Sequence, residues 1–545
     1  MAPKLSAVSR VALATTIQVF VVRHHPGWVP LLPSLVLPAL TVLLGCLNFA
    51  LLLTWNTFIH PFAFHPLRNF PAPKAIIYSR ALKRLRTKKP PGQLLLEIAE
   101  NTPNDGLLVV LGQDPSLALT KPSALADVLV HHPYDFAKFD SVRDFLRPVL
   151  GNGLVVVEGE EHKFLRKNAQ PAFKFSEIKE LYPMMWNKAV AFTNTLRGAV
   201  EGDDTNKAID MNWWASKVTI DIIGLAAFGQ DFRVLANFDD PLIRNYDKLL
   251  KPGKGKFLYF LLSIMLGRDF VKLLPWKTAR TFEQTTANIR SICGQIVSDK
   301  RAAIAKTPMD GHLDILSLLI KSDNFSHEEL VDQLLTFLAA GHETSSSVFI
   351  WATYLLATHP TVRAKLQSEL RDALPSFPAL PPDTDLASLL TSLPYLNGVL
   401  NETLRLYPTV PLTVRVAVRD TTICGHAIAK GTELTISPWL VNRYTENWGP
   451  DATSFVPERW INADDGRPNN TGGAASNYAN MTFLHGPRSC IGQGFAKAEL
   501  RCLLAAFARR FEWELGMKEE DVVPGGVITI KPANGLFLVV KVAEG

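Results

Sequence analysis

Cysteine is scarce in this chain of 545 residues, and the cysteines form no even, closely spaced framework. The five are Cys46, Cys293, Cys424, Cys490 and Cys502. This pattern excludes a small disulfide scaffold. It is typical of a reducing compartment, where a single thiolate can act as a ligand or a nucleophile.

Charge is also scarce, since charged residues make up 20% of the chain and the net charge is only +6. No array of Lys and Arg with interleaved aromatic residues occurs, so the sequence predicts no nucleic-acid partner. Hydrophobic residues make up 47%, which excludes a disordered or collagen-like chain.

The amino-terminal region has no Asp, Glu, Lys or Arg from Pro26 to Leu67. Within it, residues 38–59 are mostly apolar, enough for a helix that crosses a hydrocarbon core of about 30 Å. We therefore expect residues 1–60 to be a membrane anchor with a transmembrane helix at about 38–59. A second apolar run at residues 11–22 leaves the number of spans, one or two, open.

Basic residues follow this anchor, which predicts that the bulk of the chain lies in the cytosol. Residues 61–91 are rich in Pro, Lys and Arg and predict a stiff hinge lying against anionic lipid headgroups. Beyond the hinge no linker, repeat or low-complexity segment divides the sequence. Residues 92–545 are therefore treated as one catalytic domain.

The clearest helix is predicted over residues 326–359. Ser326 and Glu329 form a capping-box pattern, and Pro360 ends the apolar run. Such a long helix must pass through the centre of the fold. Gly341 costs it about 1 kcal/mol relative to alanine, so a packing or functional reason is expected there.

Strand-like patterns are few. Residues 107–120 resemble a hairpin around a GQDP turn, and the end of the chain, from residue 525, alternates in the manner of strands. The sequence thus predicts a mainly α fold with a small β component.

A loop at residues 483–492 places Cys490 between Gly486 and Gly492, directly before a helical stretch. Backbone N–H groups and the helix dipole lower the pKa of a thiol at such a position, and the glycines would let a flat ligand approach. A metal-bound thiolate needs these features. A buried structural cysteine, the commoner fate of a single Cys, stays an alternative.

Four separated patterns stand out in the chain. They are the F-x-x-G-x-R-x-C-x-G loop at 483–492, Ala340-Gly341-His342-Glu343-Thr344-Ser345, Glu402-Thr403-Leu404-Arg405 and Phe455-Val456-Pro457-Glu458-Arg459-Trp460. Together they resemble the motifs of the cytochrome P450 family and follow that family's order. The ordered set is specific, although a lone E-x-x-R is not. The chain is similar to fungal, membrane-anchored, haem-thiolate monooxygenases of the endoplasmic reticulum, whose catalytic domain is cytosolic and whose long central helix crosses the haem.

The resemblance implies haem, iron protoporphyrin IX, with Cys490 as the axial metal ligand and Phe483 and Gly486 as further cofactor-binding residues. A thiolate ligand donates the electron density that favours O–O cleavage. The same resemblance implies a structural ion-pair network formed by Glu402, Arg405 and Arg459.

The two haem propionates need cationic partners, because unpaired buried carboxylates are costly. The resemblance implies Arg166, Arg415 and Arg488 for this role. His162 stands where the family commonly has Trp, and it is a weaker candidate that can still donate a hydrogen bond.

Glu343 and Thr344 are the predicted catalytic residues, an acid and a hydroxyl that would relay protons towards bound oxygen. The Thr344 hydroxyl is also expected to bond a helix carbonyl one turn back. An ordinary solvated Glu-Thr pair is the alternative. The resemblance further implies a substrate pocket lined by residues 134–156, by Phe337 and Ala340, and by residues 409–414 and 526–528.

The implied activity inserts one oxygen atom from O2 into a small lipophilic substrate, by hydroxylation or successive oxidation, with electrons from NADPH through a reductase. Lys163, Lys167, Lys497 and Arg501 would give an acidic reductase a basic docking face. A tailoring step in fungal secondary metabolism, on a terpenoid or a polyketide, is the expected setting. The alternatives are a haem-thiolate isomerase or dehydratase that does not use O2, and a non-enzymatic haem or lipid carrier.

Overall fold

The computed structural model describes most of the chain, with gaps concentrated near the amino terminus. The described residues are 7–24, 36–55, 66–72, 90–110, 115–201, 208–236, 239–250, 259, 262–263, 271, 276–306, 314–381, 383–526 and 528–543.

Helices dominate the described residues. They are Ala7–His24 (α1), Val36–Thr54 (α2), Gln93–Glu100 (α3), Pro122–Ala126 (α4), Asp140–Leu150 (α5), Gly159–Ala169 (α6), Phe175–Glu201 (α7), Met211–Ile223 (α8), Pro241–Leu250 (α9), Lys277–Lys306 (α10), Ile315–Lys321 (α11), His327–Thr358 (α12), Pro360–Ala373 (α13), Leu386–Ser392 (α14), Pro394–Leu406 (α15), Pro438–Val441 (α16), Thr445–Trp448 (α17) and Gln493–Arg510 (α18).

The strands are short. They are Leu107–Val110 (β1), Ser116–Leu119 (β2), Phe136–Ala137 (β3), Ile209–Asp210 (β4), Thr413–Ala417 (β5), Thr421–Ile423 (β6), His426–Ile428 (β7), Glu433–Ile436 (β8), Phe511–Leu515 (β9), Pro524–Gly525 (β10), Lys531–Pro532 (β11) and Phe537–Val542 (β12). The mainly α class with a small β component is thereby confirmed.

Of the four sheets in the described residues, two have more than two strands. The larger has the strand order β1-β2-β8-β5-β3, in which β1 and β2 pair antiparallel as the predicted hairpin, with Leu107 opposite Leu119. The smaller has the order β4-β12-β9 and includes the strand-like end of the chain. Strand β5 carries Arg415, which is buried, and Thr529 lies in the turn before β11.

The long helix α12 runs through the core as predicted. The Ser326 side chain accepts a hydrogen bond from the Glu329 N–H, and the Glu329 carboxylate accepts one from the Ser326 N–H, which forms the capping box. Pro360 ends the helix and opens α13 as its first residue. Most α12 side chains are buried on every face, because α8, α10, α15 and α18 all pack against it.

Gly341 has a packing reason. A Cβ atom at this position would lie 2.7 Å from Cδ1 of Ile223, so only glycine lets α8 come this close. Helix α12 continues through Gly341 without a break.

The amino-terminal helices α1 and α2 contact each other through polar side chains. The Asn48 amide donates to Gln18 Oε1 at 2.7 Å and to Thr15 Oγ1 at 3.1 Å. Helix α2 is described from Val36 to Thr54, and residues 56–59 of the predicted span lie outside the described residues. No helix in the described part of the chain combines the length and the apolarity that crossing a bilayer requires. In the predicted hinge, residues 61–65 and 73–89 lie outside the described residues.

A buried ion-pair network joins α15 to the segment that follows α17. The Glu402 carboxylate accepts two hydrogen bonds from Arg405, at 2.7 and 2.8 Å, one from Arg459 at 2.9 Å and one from the Trp460 indole at 2.9 Å. Neither Glu402 nor Arg405 has any solvent exposure. The ion-pair network expected from the resemblance is therefore present, and its geometry is that of a structural core.

Candidate active site

A cavity of about 360 Å³ lies between α12 and the loop that holds Cys490. Most of the predicted site residues line it. They are Thr344, Phe483, Cys490, Arg488, Arg415, Arg166 and His162. Glu343 and Gly486 are not among its lining residues.

The Cys490 loop is closed by a hydrogen bond from the Cys490 N–H to the Phe483 carbonyl at 2.8 Å. Gly486 has a φ of 71°, and a Cβ atom there would collide with the Leu129 carbonyl. Gly486 therefore permits the loop to pack on the protein backbone, whereas the sequence suggested the close approach of a flat ligand. Its predicted contact with the cofactor stays a prediction.

Cys490 keeps accessible surface, and it lines the cavity. Burial raises the pKa of the Cys490 thiol, while the Gly492 N–H and Arg166 act to lower it. Without a bound metal, the effect of burial outweighs the other two, and the pKa of the Cys490 thiol is raised. The sequence suggested the opposite, a pKa lowered by the helix terminus. A coordinating metal deprotonates a thiol outright.

Arg166, on α6, lies beside the cysteine loop. Its guanidinium donates to the Ser489 carbonyl at 2.5 Å and to the Ser489 hydroxyl at 3.3 Å. It therefore sits next to the developing charge of the Cys490 thiolate, and its assignment to a propionate stays a prediction.

A cluster of charges occupies another part of the cavity wall. The Glu158 carboxylate accepts from Lys138 at 3.2 Å, and it accepts from Arg488 at 3.0 Å through Nε and again through the guanidinium Nη2. Burial and Arg415 lower the pKa of Lys138 to about 8, and burial lowers the pKa of Arg415 to about 10. Burial raises the pKa of Glu158, but Lys138 and Arg488 outweigh it and hold that pKa at about 2.

This cluster has three cations and one carboxylate, so two positive charges are left without a partner in it. Unpaired buried charge is costly, and a ligand that brings two carboxylates would balance it. Haem has two propionates, so the charge of the cluster fits the cofactor. Lys138 and Glu158 were missed by the sequence analysis, because no motif marks a single Lys after β3 or a Glu before α6.

His162 lies on the same wall. It is 3% exposed, and its Nδ1 is 3.3 Å from the Tyr134 hydroxyl. Burial, with Arg488 and Lys138 nearby, lowers the pKa of His162 to about 4. The imidazole is therefore neutral at pH 7 and offers one N–H, which is the hydrogen-bonding capacity expected of a replacement for Trp.

Thr344 and Glu343 point in different directions. The Thr344 hydroxyl lines the cavity and donates to the Ala340 carbonyl at 2.6 Å, as the sequence predicted. The Glu343 carboxylate instead pairs with Lys531 at 3.1 Å and accepts from the Thr529 hydroxyl at 3.3 Å. Burial raises the pKa of Glu343, but Lys531 and His342 outweigh it and leave that pKa lowered. The structure thus brings Thr344 to the cavity and ties Glu343 to the β11 region.

The rest of the cavity wall is mostly apolar. Of the segments expected there, Leu154 and Val155, Phe337 and Ala340, and Thr409, Val410 and Thr413 line it. Gly526 and Ile528 do not, because the backbone at Gly526 packs on Thr529. Lys497 and Arg501 are half-buried and line a separate cavity, whereas Lys163 and Lys167 are exposed. The docking face predicted from these four residues stays a prediction.

One buried carboxyl lies behind this wall. Glu499, on α18, has no solvent exposure, and neither carboxylate oxygen has a hydrogen-bond partner among the described residues. Burial raises the pKa of Glu499 from 4.5 to about 8. The side chain is therefore neutral in the folded protein at pH 7.

We expect Glu499→Gln to remove a pH dependence of stability. Between pH 4.5 and about 8 the unfolded chain releases this proton while the folded protein retains it, so wild-type stability falls by about 1.4 kcal/mol per pH unit. The variant lacks this loss and unfolds a few degrees higher at pH 7.5, with little difference at pH 4.5. Thermal melts across that range, with the exposed Glu160→Gln as control, measure the effect. A difference in thermal midpoint between wild type and Glu499→Gln that stays constant with pH contradicts this expectation.

Comparisons with known proteins agree with this geometry. A family model described as "Cytochrome P450" matches residues 71–539. The chain is 40% identical over 512 residues to the cytochrome P450 monooxygenase sphH of Aspergillus fumigatus, covering 91% of this chain and 94% of that protein. It is 39% identical over 490 residues to the cytochrome P450 monooxygenase ptmK of Penicillium ochrochloron, covering 88% and 95%. It is 35% identical over 568 residues to the cytochrome P450 monooxygenase ALT8 of Alternaria alternata, covering 93% and 94%.

Proposed function

Because the chain belongs to the cytochrome P450 family, an oxidoreductase family, we propose that it inserts one oxygen atom from O2 into a small lipophilic molecule. One arrangement supports this most directly. The cavity places Cys490 and Thr344 on its walls, together with a charge cluster that two carboxylates would neutralise. Haem held by the Cys490 thiolate would supply the activation of O2.

The chain's own residues would hold the cofactor and move the proton. Lys138, Arg415 and Arg488 would pair with the propionates, and neutral His162 would donate one further hydrogen bond. The Thr344 hydroxyl, anchored on the Ala340 carbonyl, would hold a proton at the cavity wall. Glu343, which Lys531 holds ionised, would take up a proton from solvent and pass it on towards that hydroxyl.

The apolar wall supports a lipophilic substrate. Ile223, Phe337, Val348 and Val410 line the cavity, and few polar groups stand among them. The similarity to fungal monooxygenases supports a tailoring reaction of fungal secondary metabolism, on a terpenoid or polyketide, by hydroxylation or successive oxidation. Electrons would come from NADPH through a reductase, for which the exposed Lys163 and Lys167 on α6 offer a basic surface.

Thr344→Ala is expected to uncouple the reaction. Without the hydroxyl, protons reach the reacting oxygen less efficiently, so product formed per NADPH falls about tenfold while hydrogen peroxide rises. The measurement is NADPH, O2, peroxide and product, with reductase and the substrate found by metabolite profiling of a gene deletion.

Thr344→Ser, which keeps the hydroxyl, is the matched control and should remain largely coupled. Full coupling in Thr344→Ala would refute the role of Thr344. Product formation by the wild type without NADPH and O2 would instead favour an isomerase or dehydratase.

We further propose that α1 and α2 associate with the membrane of the endoplasmic reticulum and leave the catalytic domain in the cytosol. The two helices expose large apolar side chains and keep polar ones at their contact. The exposed side chains include Leu13, Ile17, Phe20, Leu43, Leu47 and Leu51. This arrangement is the reverse of a water-soluble helix pair and is typical of helices surrounded by lipid.

Liposome flotation tests this placement. Full-length protein is expected to float with phosphatidylcholine liposomes and to resist a high-salt wash, whereas Leu43→Lys combined with Leu47→Lys should reduce the floated fraction several-fold. Lys541→Gln on the catalytic domain is the control. Equal flotation of both variants would exclude α2 as the lipid contact.

A further inference from the structure

A second cavity lies on the other side of α18 from the candidate active site. It has a volume of about 550 Å³ and shares no lining residue with the first. Helix α18 contributes Phe495 and Leu500 to the first cavity, and Lys497 and Arg501 to the second. The second cavity is polar, and none of its described lining residues is acidic.

Lys497 has no counter-ion in the part of the chain that the structure describes. No carboxylate among the described residues forms an ion pair with it, and its ammonium lies 5.9 Å from the centre of the Phe483 ring. Burial and the neighbouring Arg501 lower the pKa of Lys497 to about 8. The half-buried side chain therefore remains mostly charged at pH 7.

Arg501 adds a second cation one helical turn further on. Its Nε donates to Asn397 Oδ1 at 2.7 Å and its Nη1 to the Tyr182 hydroxyl at 3.3 Å, and both acceptors are neutral. These bonds fix the guanidinium but leave its charge without an anion in the described part of the chain. Lys497 and Arg501 together thus leave two positive charges on one wall of the cavity.

The Asn401 side chain offers a third donor to the same cavity. It lines the cavity and is 8% exposed as a residue. Its amide atoms are not among the fully buried, unpartnered polar atoms, so they are accessible to a ligand in the cavity. An anion in the cavity could accept from the Asn401 amide as well as from the two cations.

We propose that this second cavity binds a phosphate group, with Lys497, Arg501 and Asn401 as its donors. A phosphate monoester or pyrophosphate brings close to two negative charges and several acceptor oxygens, which match two cations and one amide. A neutral ligand would leave both charges unpaired. The phosphate could belong to a free phosphate ester or to the headgroup of an anionic lipid.

Titration calorimetry of the full-length holoprotein in detergent, at low ionic strength and pH 7, tests the site with inorganic pyrophosphate. We expect saturable binding of one pyrophosphate with a Kd below about 1 mM, weakened about tenfold or more in Lys497→Gln. Asn401→Ser should weaken binding less, without removing charge. Lys541→Gln removes one exposed positive charge on β12 and should leave binding unchanged.

A second arm measures binding to phosphatidylcholine vesicles with and without phosphatidic acid. Binding to the vesicles without phosphatidic acid reports the general lipid association of the full chain and is subtracted, which leaves the binding due to phosphatidic acid. If Lys497→Gln weakens binding of pyrophosphate, free phosphate esters are ligands. If it weakens only the phosphatidic acid component, the ligand is the lipid headgroup. The proposal is overturned if no saturable binding occurs in either arm, or if Lys541→Gln weakens binding as much as Lys497→Gln does. The readout is binding, so it is independent of monooxygenase turnover.

Discussion

Glu402→Ala is expected to prevent the protein from reaching a stable, haem-loading fold. The substitution leaves Arg405 buried without its carboxylate and removes the acceptor that Arg459 and the Trp460 indole share. Breaking a buried ion pair from one side costs about 3 to 5 kcal/mol, since the remaining charge stays desolvated. This is a large share of the stability of a typical folded protein. The thermal midpoint and the haem content of the purified protein measure the loss.

Glu458→Ala is the matched control, because Glu458 lies in the same segment as Arg459. Its side chain is 43% exposed, pairs with the exposed Lys365 and accepts one hydrogen bond from the Tyr395 hydroxyl at 3.0 Å. Exposed pairs contribute about 1 kcal/mol or less, so this variant should fold and take up haem nearly as the wild type does. If the two variants have the same thermal midpoint, the Glu402 network does not stabilise the fold.

The second large effect concerns Cys490, which lines the cavity together with residues of α12. Of the five cysteines, Cys490 is the one that lines this cavity. Burial raises the pKa of Cys293 to about 12, which keeps that thiol protonated and inert. Arg166 and the Gly492 N–H stand by the Cys490 sulfur, where they would stabilise a thiolate once a metal has displaced the proton.

Replacing Cys490 with serine should therefore abolish thiolate ligation and all monooxygenase activity while the helical fold persists. A serine hydroxyl is a far weaker donor to iron than a thiolate, and no other cysteine stands within the cavity wall to replace it. The Glu402 network does not touch this loop directly, so the two large effects have separate causes.

Local patterns in the sequence predicted the parts of the fold that depend on local physics. The capping box at Ser326 and the stop at Pro360 fixed the limits of α12, and the alternation at residues 107–120 identified the β1 and β2 hairpin. The Cys490 loop and the hydroxyl bond of Thr344 also follow from neighbouring residues. These features need only a few adjacent positions.

Features that depend on residues far apart in the chain were not predictable in this way. Glu343 turns to Lys531, almost two hundred positions later, because strand β11 brings an ammonium to its side of α12. Gly486 meets the backbone of Leu129, and Glu158 meets Arg488, through the same kind of long-range packing. A charge cluster of this type becomes visible only once the fold has assembled it.

The carbon-monoxide difference spectrum of the reduced, purified protein tests the central claim most directly. Wild type and Cys424→Ser, which alters an exposed cysteine away from the cavity, should both show the Soret band of thiolate-ligated haem. Cys490→Ser should lose that band. A wild-type protein without porphyrin, or a Cys490→Ser protein with an unchanged spectrum, would contradict the assignment of Cys490 as the haem ligand.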